Sequence, residues 1–526
     1  MKMTVIRNGL VIDGTSAPAR RADVLLSDDR IVDIVEPSSA GYGDAISYDA
    51  AGALVTPGFI DAHAHSDAYL VLEPAAPSKI SQGITTEVNG QCGGSIAPRY
   101  GEARLSSDWA SLLGARLSWR SLAEYRTVLE AARPAVNTVQ FIGHNTLRSS
   151  VVGYAPRAAT ADEVAQMSRL LAESLDAGGW GLTTGLIYQP GRYATADEVT
   201  ALARVAAAKG GLYATHMRSE GDEILAALDE VAALARTTGI RVEISHLKTS
   251  GAANWSKIDA VLEKMESAIA EGIFLGSDRY PYCAAGTDLD IVLPDWAQAG
   301  AAKAECVRLA DAATRARLIR EIDAEPRDWQ AVMIGGTWSE KTRRLSGRTI
   351  ADILAAGELP VRTAGELVCF ILAEDRCRTG AFFFGMCEEN LAKIYARPWI
   401  VPGSDASLRA PWGLLAADHP HPRAYATMSE FYRRVRALGF TREETIARMT
   451  SVPAKRFGLV RRGELRAGAY ADICVWDETR FRARATYDAP HQFTEGVRAV
   501  FVNGVLTYES GRFTEKRAGR FLTRTL

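Results

Sequence analysis

Short apolar segments alternate with Ala-, Leu-, Glu- and Arg-rich stretches through the middle of this chain. The longer stretches 161–177 and 196–209 have the apolar spacing of amphipathic helices. Strands that alternate with helices are typical of βα units around a parallel sheet. Eight units predict an α/β fold of the (β/α)8 TIM barrel type. The eight predicted strands are 58–65, 83–92, 136–144, 181–186, 212–218, 241–248, 273–282 and 399–405.

Both ends of the chain have a different, β-rich pattern with turn signals at Asn8-Gly9, Asp28-Asp29 and Asn503-Gly504. Chain termini often lie close together, so segments 1–57 and 452–526 are expected to form one small domain. The barrel would then occupy 58–451. About 115 residues separate the seventh and eighth strands, which is far longer than an ordinary βα connection and predicts an inserted subdomain at about 284–398.

Composition narrows the class of protein without identifying a function. The 526 residues are 47% apolar and 24% charged, with a net charge of −2. These values exclude disordered, collagen-like and coiled-coil proteins, and they favour neither a nucleic-acid nor a membrane partner. There is no apolar run of about 18 residues to span a membrane. Seven cysteines without a CxxC pair and a start without a signal-peptide core predict a reducing, cytoplasmic location.

Histidines fall at the ends of predicted strands, where barrel active sites lie. The first strand ends in Asp61-Ala62-His63-Ala64-His65, and side chains two apart on a strand share a face. His63 and His65 can therefore reach one metal ion. His216 and His246 end the fifth and sixth strands at matching depth, which favours a joint metal site over two separate core histidines.

Two further residues extend this candidate metal site. Cys92 ends the second strand between glycines, and its thiolate could bind or bridge zinc, although a buried apolar thiol is an equally good interpretation. Asp405 ends the eighth strand. Its carboxylate can bind metal and move protons. An aspartate here could instead be a helix N-cap, but the five other candidate ligands at neighbouring strand ends favour the metal-binding role.

Cationic and aromatic residues near the same strand ends are candidates for holding an anionic substrate group. Lys248 shares the face of His246, Tyr280 and Tyr282 share a face near the end of strand seven, and His419, His421 and Arg423 follow strand eight. These cations are interpreted equally well as ordinary charged residues on the solvated surface. His144 ends the third strand and is either a hydrogen-bond donor to a reacting carbonyl or a structural residue.

In combination these motifs resemble the amidohydrolase superfamily and, within it, the N-acyl-D-amino-acid deacylases. The resemblance covers nearly the whole chain. The matching segments are Thr56-Pro57-Gly58-Phe59-Ile60-Asp61-Ala62-His63-Ala64-His65, Lys79-Ile80-Ser81-Gln82-Gly83, Asn89-Gly90-Gln91-Cys92-Gly93, Gly185-Leu186-Ile187-Tyr188, Thr215-His216-Met217-Arg218, Ser245-His246-Leu247-Lys248 and Gly403-Ser404-Asp405.

The resemblance implies a barrel with a small β-sandwich built from both termini. It implies a tight zinc ion held by Cys92, His216 and His246, and a second, weaker position with His63, His65, Cys92 and Asp405. Lys248, a strand-seven tyrosine and Arg423 would hold the carboxylate of a small-molecule N-acyl amino acid. Related cyclic-amide hydrolases bridge two metals with a carboxylated lysine from strand four, and residues 180–186 contain no lysine.

The expected chemistry is hydrolysis of a linear amide. A zinc-activated water attacks the carbonyl, and Asp405 transfers its proton to the leaving amine. Three other interpretations stay open at this point. The first is a cyclic-amide hydrolase of the hydantoinase or dihydroorotase type, the second is a barrel that serves only as a binding scaffold, and the third is a related amidase that uses the same chemistry on an unusual N-acyl amino acid. The acyl group, the amino-acid side chain and the oligomeric state are not indicated.

Overall fold

The computed structural model describes residues 3–38, 42–103 and 113–524. Strands and helices alternate in its middle part, as the apolar pattern predicts. The strands are β1 (Met3–Val11), β2 (Arg20–Ser27), β3 (Arg30–Val35), β4 (Ile46–Asp49), β5 (Leu54–Pro57), β6 (Phe59–Asp61), β7 (Ile84–Asn89), β8 (Asn137–Gln140), β9 (Ile142–Gly143), β10 (Gly181–Gly185), β11 (Leu212–His216), β12 (Val242–Ile244), β13 (Phe274–Arg279), β14 (Ala285–Asp288), β15 (Val332–Ile334), β16 (Gly380–Phe383), β17 (Ile400–Pro402), β18 (Ile473–Trp476), β19 (Val497–Val502), β20 (Val505–Glu509) and β21 (Arg512–Phe513).

Parallel pairing connects the strands of the central part. β6, β7 and β8 form one parallel sheet, and β9 to β13 with β17 form a second one. Only Phe141 separates β8 from β9, and Ala62 N donates to Pro402 O at 3.1 Å between β6 and β17. Backbone pairing therefore runs around all eight predicted segments, each of which contains a strand, and the predicted α/β fold is confirmed.

Helices pack against the strands of this parallel sheet. The predicted helices 161–177 and 196–209 are found as Ala161–Asp176 and Ala196–Ala208, with Thr160 and Thr195 as N-caps. No helix in the described ranges is long and apolar enough to cross a bilayer. The other helices are Tyr69–Leu72, Pro77–Ile80, Leu122–Ala132, His144–Val151, Ile224–Thr238, Ile258–Ala270, Asp295–Gln298, Ala301–Ala310, Ala312–Ala324, Glu340–Arg343, Ile350–Ala356, Ala364–Glu374, Glu388–Tyr395, Arg423–Ala437, Arg442–Met449 and Ser451–Phe457.

The two ends of the chain share one nine-stranded sheet, in which β5 pairs with β18. Side chains from both ends form a common apolar cluster, and Tyr48 of β4 packs edge-on against Phe501 of β19 at 5.7 Å. Asn503-Gly504 makes the predicted hairpin between β19 and β20. The predicted turn at Asn8-Gly9 is wrong, because these residues form a register shift inside the continuous strand β1.

The long connection after β13 has a small sheet of its own. β14, β16 and β15 pair antiparallel, and the surrounding helices share an apolar cluster that runs from Leu289 to Phe383 and is separate from the central cores. The helix Glu388–Tyr395 lies inside the predicted range 284–398, yet its buried side chains pack into the central cluster. The segment with its own core is therefore shorter than the predicted insertion.

Candidate active site

Six predicted metal ligands converge where the parallel strands end. His216 is the last residue of β11, His63 and His65 follow β6, and His246 follows β12. Cys92 follows β7 and Asp405 follows β17. Because parallel strands present their carboxyl ends at one rim, residues far apart in sequence become neighbours there.

The donor atoms form two groups that share the thiol of Cys92. His63, His65, Cys92 and Asp405 make one group, Cys92, His216 and His246 make the other, and the donor atoms within each group lie within 4.8 Å of one another. Cys92 Sγ is 3.3 Å from Nε2 of both His63 and His246. Asp405 Oδ1 is 3.0 Å from His65 Nε2. The cysteine therefore stands between two candidate metal positions.

The backbone at this rim is unusual. Cys92, His246 and Asp405 have φ values of 52°, 35° and 49°, in the left-handed region that side chains other than glycine rarely adopt. Such conformations cost on the order of 1–3 kcal/mol each and persist where the surrounding structure enforces them. Beside Asp405, a Cβ on Gly403 would lie 2.5 Å from Asp278 Oδ1, so only glycine fits.

The chemistry of the donor atoms fits a zinc ion. Burial opposes ionisation of Cys92, but the charges of His63 and His246 hold the pKa of the thiol well below its usual value, so a thiolate is favoured. His216 is 5% exposed, and neither of its ring nitrogens has a hydrogen-bond partner among the described residues. A buried imidazole whose ring nitrogens make no hydrogen bond, next to a thiolate, offers the nitrogen and sulfur donors that zinc prefers.

Asp405 is held as a carboxylate. Burial would raise its pKa, but the charge of Arg423 and the nearby histidines keep the pKa well below its ordinary range. Arg423 Nη1 donates to Asp405 Oδ2 at 2.8 Å, while Asp405 Oδ1 faces His65. One carboxylate oxygen thus points to the candidate metal position and the other to a guanidinium.

Lys248 and Arg423 approach one aromatic ring beside the donor groups. Arg423 Cζ lies 4.6 Å and Lys248 Nζ 5.9 Å from the ring centroid of Tyr280. The Tyr280 hydroxyl is buried and has no hydrogen-bond partner among the described residues. Two cations and a free hydroxyl in one corner can bind a carboxylate.

A cavity of about 1160 Å³ opens over both groups. Cys92, His216 and Asp405 lie in its wall, as do Lys248 and Tyr280. Residues of the inserted segment, including Asp290 and Phe382, form another part of the wall. The cavity is large enough for a small organic substrate and places it against the candidate metal ligands.

Two predicted substrate contacts lie elsewhere. Tyr282 packs against the His421 ring at 5.1 Å and is not among the cavity-lining residues of the described chain. Strand β13 ends at Arg279, so the strand alternation that predicted a shared face for Tyr280 and Tyr282 does not reach them. His144 begins a helix and is fully buried, with Nε2 2.9 Å from Glu198 Oε1.

His421, one of the two histidines predicted after strand eight, does not add a cation to the site. Burial and the charge of Arg423 hold the pKa of His421 well below its ordinary value, so its ring is neutral. Its Nε2 lies 3.1 Å from the Ala284 carbonyl, and His419 Nε2 lies 2.7 Å from the Tyr487 carbonyl. Of the residues predicted after strand eight, Arg423 contacts Asp405.

Two carboxylates that the sequence interpretation missed support the histidines from behind. Asp278 Oδ2 lies 3.2 Å from His63 Nδ1, and Glu220 Oε1 lies 2.9 Å from His246 Nδ1. The available signals were an acidic residue inside the apolar seventh strand and a glutamate four residues after His216. Carboxylates in these places orient metal-binding imidazoles.

A buried lysine below the site was also missed. Lys79 is fully buried, and its Nζ lies 2.8 Å from Asp61 Oδ2, 3.0 Å from Glu87 Oε1 and 2.9 Å from Ser404 Oγ. Ser404 in turn donates its backbone N–H to Asp61 Oδ1 at 2.7 Å. This network ties the end of β6 to the residue that precedes Asp405.

Comparison with known proteins agrees with this geometry. A model of the amidohydrolase family matches residues 47–508. N-acyl-D-glutamate deacylase of Alcaligenes xylosoxydans xylosoxydans is 36% identical over 524 residues, which cover 99% of this chain and 96% of that protein. D-aminoacylase of the same organism is 34% identical over 525 residues, with 99% and 97% covered.

A solved structure extends the comparison to three dimensions. N-acyl-D-glutamate deacylase from Bordetella bronchiseptica, complexed with zinc and a phosphonate inhibitor, is 34% identical and has a TM-score of 0.82, with 100% of both chains covered. The sequence matches span nearly the full length of this chain and of those proteins, and the folds agree. The chain therefore belongs to the amidohydrolase family, in the branch that contains the D-aminoacylases.

Proposed function

We propose that this protein is a zinc-dependent hydrolase that removes the acyl group from N-acyl-D-amino acids. The observation that carries the proposal is the placement of Lys248, Tyr280 and Arg423 beside the Cys92-centred donor groups in one cavity. A carboxylate-binding corner next to metal ligands suits a substrate with a carboxylate next to its amide. The D configuration and the N-acyl class rest on the relatives, which are 36% and 34% identical.

In this proposal Cys92, His216 and His246 hold one zinc ion, and His63, His65, Cys92 and Asp405 form a second, weaker position. A zinc ion bound there would lower the pKa of water to about 7 and polarise the amide carbonyl. Zinc fits better than magnesium or calcium because sulfur and imidazole dominate the donor set.

Asp405 is the proton carrier in the proposed reaction. Its Oδ1 faces the candidate metal position, where it can accept the proton of the attacking water. Its Oδ2 is held by Arg423, which fixes the carboxylate plane. An amine is a poor leaving group until it is protonated, so the same carboxylate next donates that proton to the nitrogen. The products are a carboxylate and a free D-amino acid.

Lys248, Tyr280 and Arg423 orient the substrate carboxylate in the proposed complex. This assignment retains three of the predicted substrate contacts and leaves out Tyr282 and His144. No lysine occurs in β10, so the carboxylated-lysine bridge of cyclic-amide hydrolases has no equivalent on this strand. That difference favours a linear amide over a hydantoin or dihydroorotate.

The test is a panel of N-acetyl D- and L-amino acids with a hydantoin, scored for free amine or ring opening, with zinc measured in the same sample. We expect release of D-amino acids, much slower release of L-amino acids and no ring opening. Asp405→Asn should retain zinc and lose on the order of 10²- to 10⁴-fold in turnover. Near-normal turnover in that variant contradicts the role of Asp405, and ring opening contradicts the substrate class.

The proposal includes the architecture around the site. We assign residues 58–451 to a (β/α)8 barrel and 1–57 and 452–526 to a β-sandwich domain. Within the predicted insertion at about 284–398, we assign the part whose apolar cluster runs from Leu289 to Phe383 to an inserted subdomain. The continuous parallel pairing and the separate apolar clusters support this division. A cytoplasmic location stays a prediction that rests on cysteine usage.

A further inference from the structure

Glu220 lies between a metal-facing histidine and a lysine that compete for it. Its Oε1 is 2.9 Å from His246 Nδ1 and also contacts Lys248 Nζ, while its Oε2 is 3.5 Å from His216 Nε2. Its partners His246 and Lys248 are buried, at 1% and 3% exposed. Lys248 Nζ is itself only 2.8 Å from His246 Nδ1. The three groups are therefore close enough for each pair to interact.

A metal-binding His246 must be neutral, so its ring carries one proton, and the contact with Lys248 allows that proton two alternative places. An ammonium group can donate but cannot accept. If Lys248 donates to Nδ1 of a neutral His246, the ring proton must lie on Nε2. If Nδ1 carries the proton, it needs an acceptor, and Glu220 Oε1 is the carboxylate oxygen within reach.

The second arrangement is the one that a metal requires. Nε2 of His246 faces the shared ligand Cys92, with 3.3 Å between Nε2 and Sγ. A nitrogen that carries a proton has no lone pair for a metal, and in metal sites the other ring N–H is usually donated to a carboxylate or carbonyl. Protonation of Nε2 would therefore remove His246 from the donor set.

We propose that Glu220 is a positioning residue that keeps the proton on Nδ1 of His246 and prevents Lys248 from moving it to Nε2. By accepting from both Nδ1–H and the Lys248 ammonium, Glu220 satisfies two donors that would otherwise oppose each other. This inference rests on the proposed function, since it concerns the zinc position that the proposed function requires. The inference also explains how Lys248 can lie beside His246 without taking that histidine out of the set of metal donors.

The test is a double-mutant cycle on zinc affinity, measured by competition between apo-protein and a chromophoric chelator. Glu220→Ala should weaken zinc binding about 10- to 100-fold, the usual effect of losing a carboxylate behind a metal-binding histidine. Lys248→Met alone should change affinity less than about threefold. The combined variant should recover most of the loss, because no donor then competes for Nδ1.

Recovery in the combined variant is the decisive result. If Glu220 only adds negative charge, removing Lys248 would raise zinc affinity equally whether or not Glu220 is present, and that outcome overturns the proposal. Glu220→Gln retains an acceptor oxygen and should lose less affinity than Glu220→Ala, which keeps the test valid if the alanine variant folds poorly. Equal losses in both variants also contradict the proposed role.

A matched control comes from a second buried carboxylate–histidine pair. Glu198 lies 2.9 Å from His144 Nε2, away from the donor groups, so Glu198→Ala should leave zinc affinity unchanged. Wild-type protein that binds no zinc would overturn the proposed function. Wild-type protein that binds zinc as tightly as Glu220→Ala would overturn the role of Glu220 alone.

Discussion

Replacing the buried Lys79 by methionine should destabilise the protein strongly. Methionine nearly preserves the length of the side chain, so little cavity forms, but the carboxylates of Asp61 and Glu87 lose the cation that both contact. Removing one partner of a buried ion pair costs about 3–5 kcal/mol, because the remaining charge stays desolvated. The two buried carboxylates of Asp61 and Glu87 lose the same ammonium at once, so we expect the upper end of that range.

The loss should also depend on pH. Burial raises the pKa of Glu87 even beside Lys79, and the charge of Lys79 is the main influence that lowers it again. Without Lys79 the native protein holds a proton on this carboxyl that the unfolded chain releases above its ordinary pKa of about 4.3. The stability of the variant therefore falls as pH rises from that value toward the folded pKa.

Equilibrium urea unfolding at pH 5.5 and pH 8, followed by tryptophan fluorescence, measures both effects. Lys79→Met should lose less stability at pH 5.5 than at pH 8, and adding Glu87→Gln should reduce the pH dependence. Lys209→Met is the control, because Lys209 pairs with Asp176 at the surface and should cost no more than about 1 kcal/mol. A loss below about 1 kcal/mol for Lys79→Met at pH 8, or a loss independent of pH, would refute the reasoning.

Three further predictions concern the site directly. Cys92→Ala should abolish zinc binding, because it removes the donor that both groups share; unchanged zinc by plasma emission would exclude Cys92 as a ligand. Tyr280→Phe should raise KM roughly 10- to 100-fold with little change in kcat. The variant loses a hydrogen bond to the substrate carboxylate, and a hydrogen bond to a charged group contributes about 1.5–3 kcal/mol. His144→Leu should lower stability by about 1–3 kcal/mol, because Glu198 loses a partner, while zinc content and KM stay unchanged. If this variant instead raises KM and keeps its stability, His144 contacts the substrate, as the sequence predicted.

The convergence of the six candidate ligands could be predicted, because residues that end parallel strands occupy fixed places at one rim of the sheet. His63, His65, Cys92, His216, His246 and Asp405 each follow or end a strand whose apolar run is visible in the sequence. Their convergence then follows from topology alone.

The supporting residues could not be predicted in the same way, because their roles depend on pairings between distant segments. Asp278 contacts His63 from 215 positions away, and Lys79 contacts Ser404 from 325 positions away. Nothing local distinguishes these residues from ordinary charged ones. Two predictions failed because the ends of strands were placed wrongly. Strand β13 stops before Tyr280, so Tyr280 and Tyr282 do not share a strand face, and β1 continues through Asn8-Gly9, where a turn was predicted.

The inserted segment has a consequence for how this enzyme can change over evolutionary time. Its residues form part of the cavity wall but pack around an apolar cluster separate from the one that supports the candidate metal ligands. Substitutions at Asp290 can thus alter which substrates fit without straining the strands that carry Cys92, His216 and Asp405. Selection, or directed evolution in the laboratory, can modify substrate range and hydrolytic chemistry as two nearly independent traits.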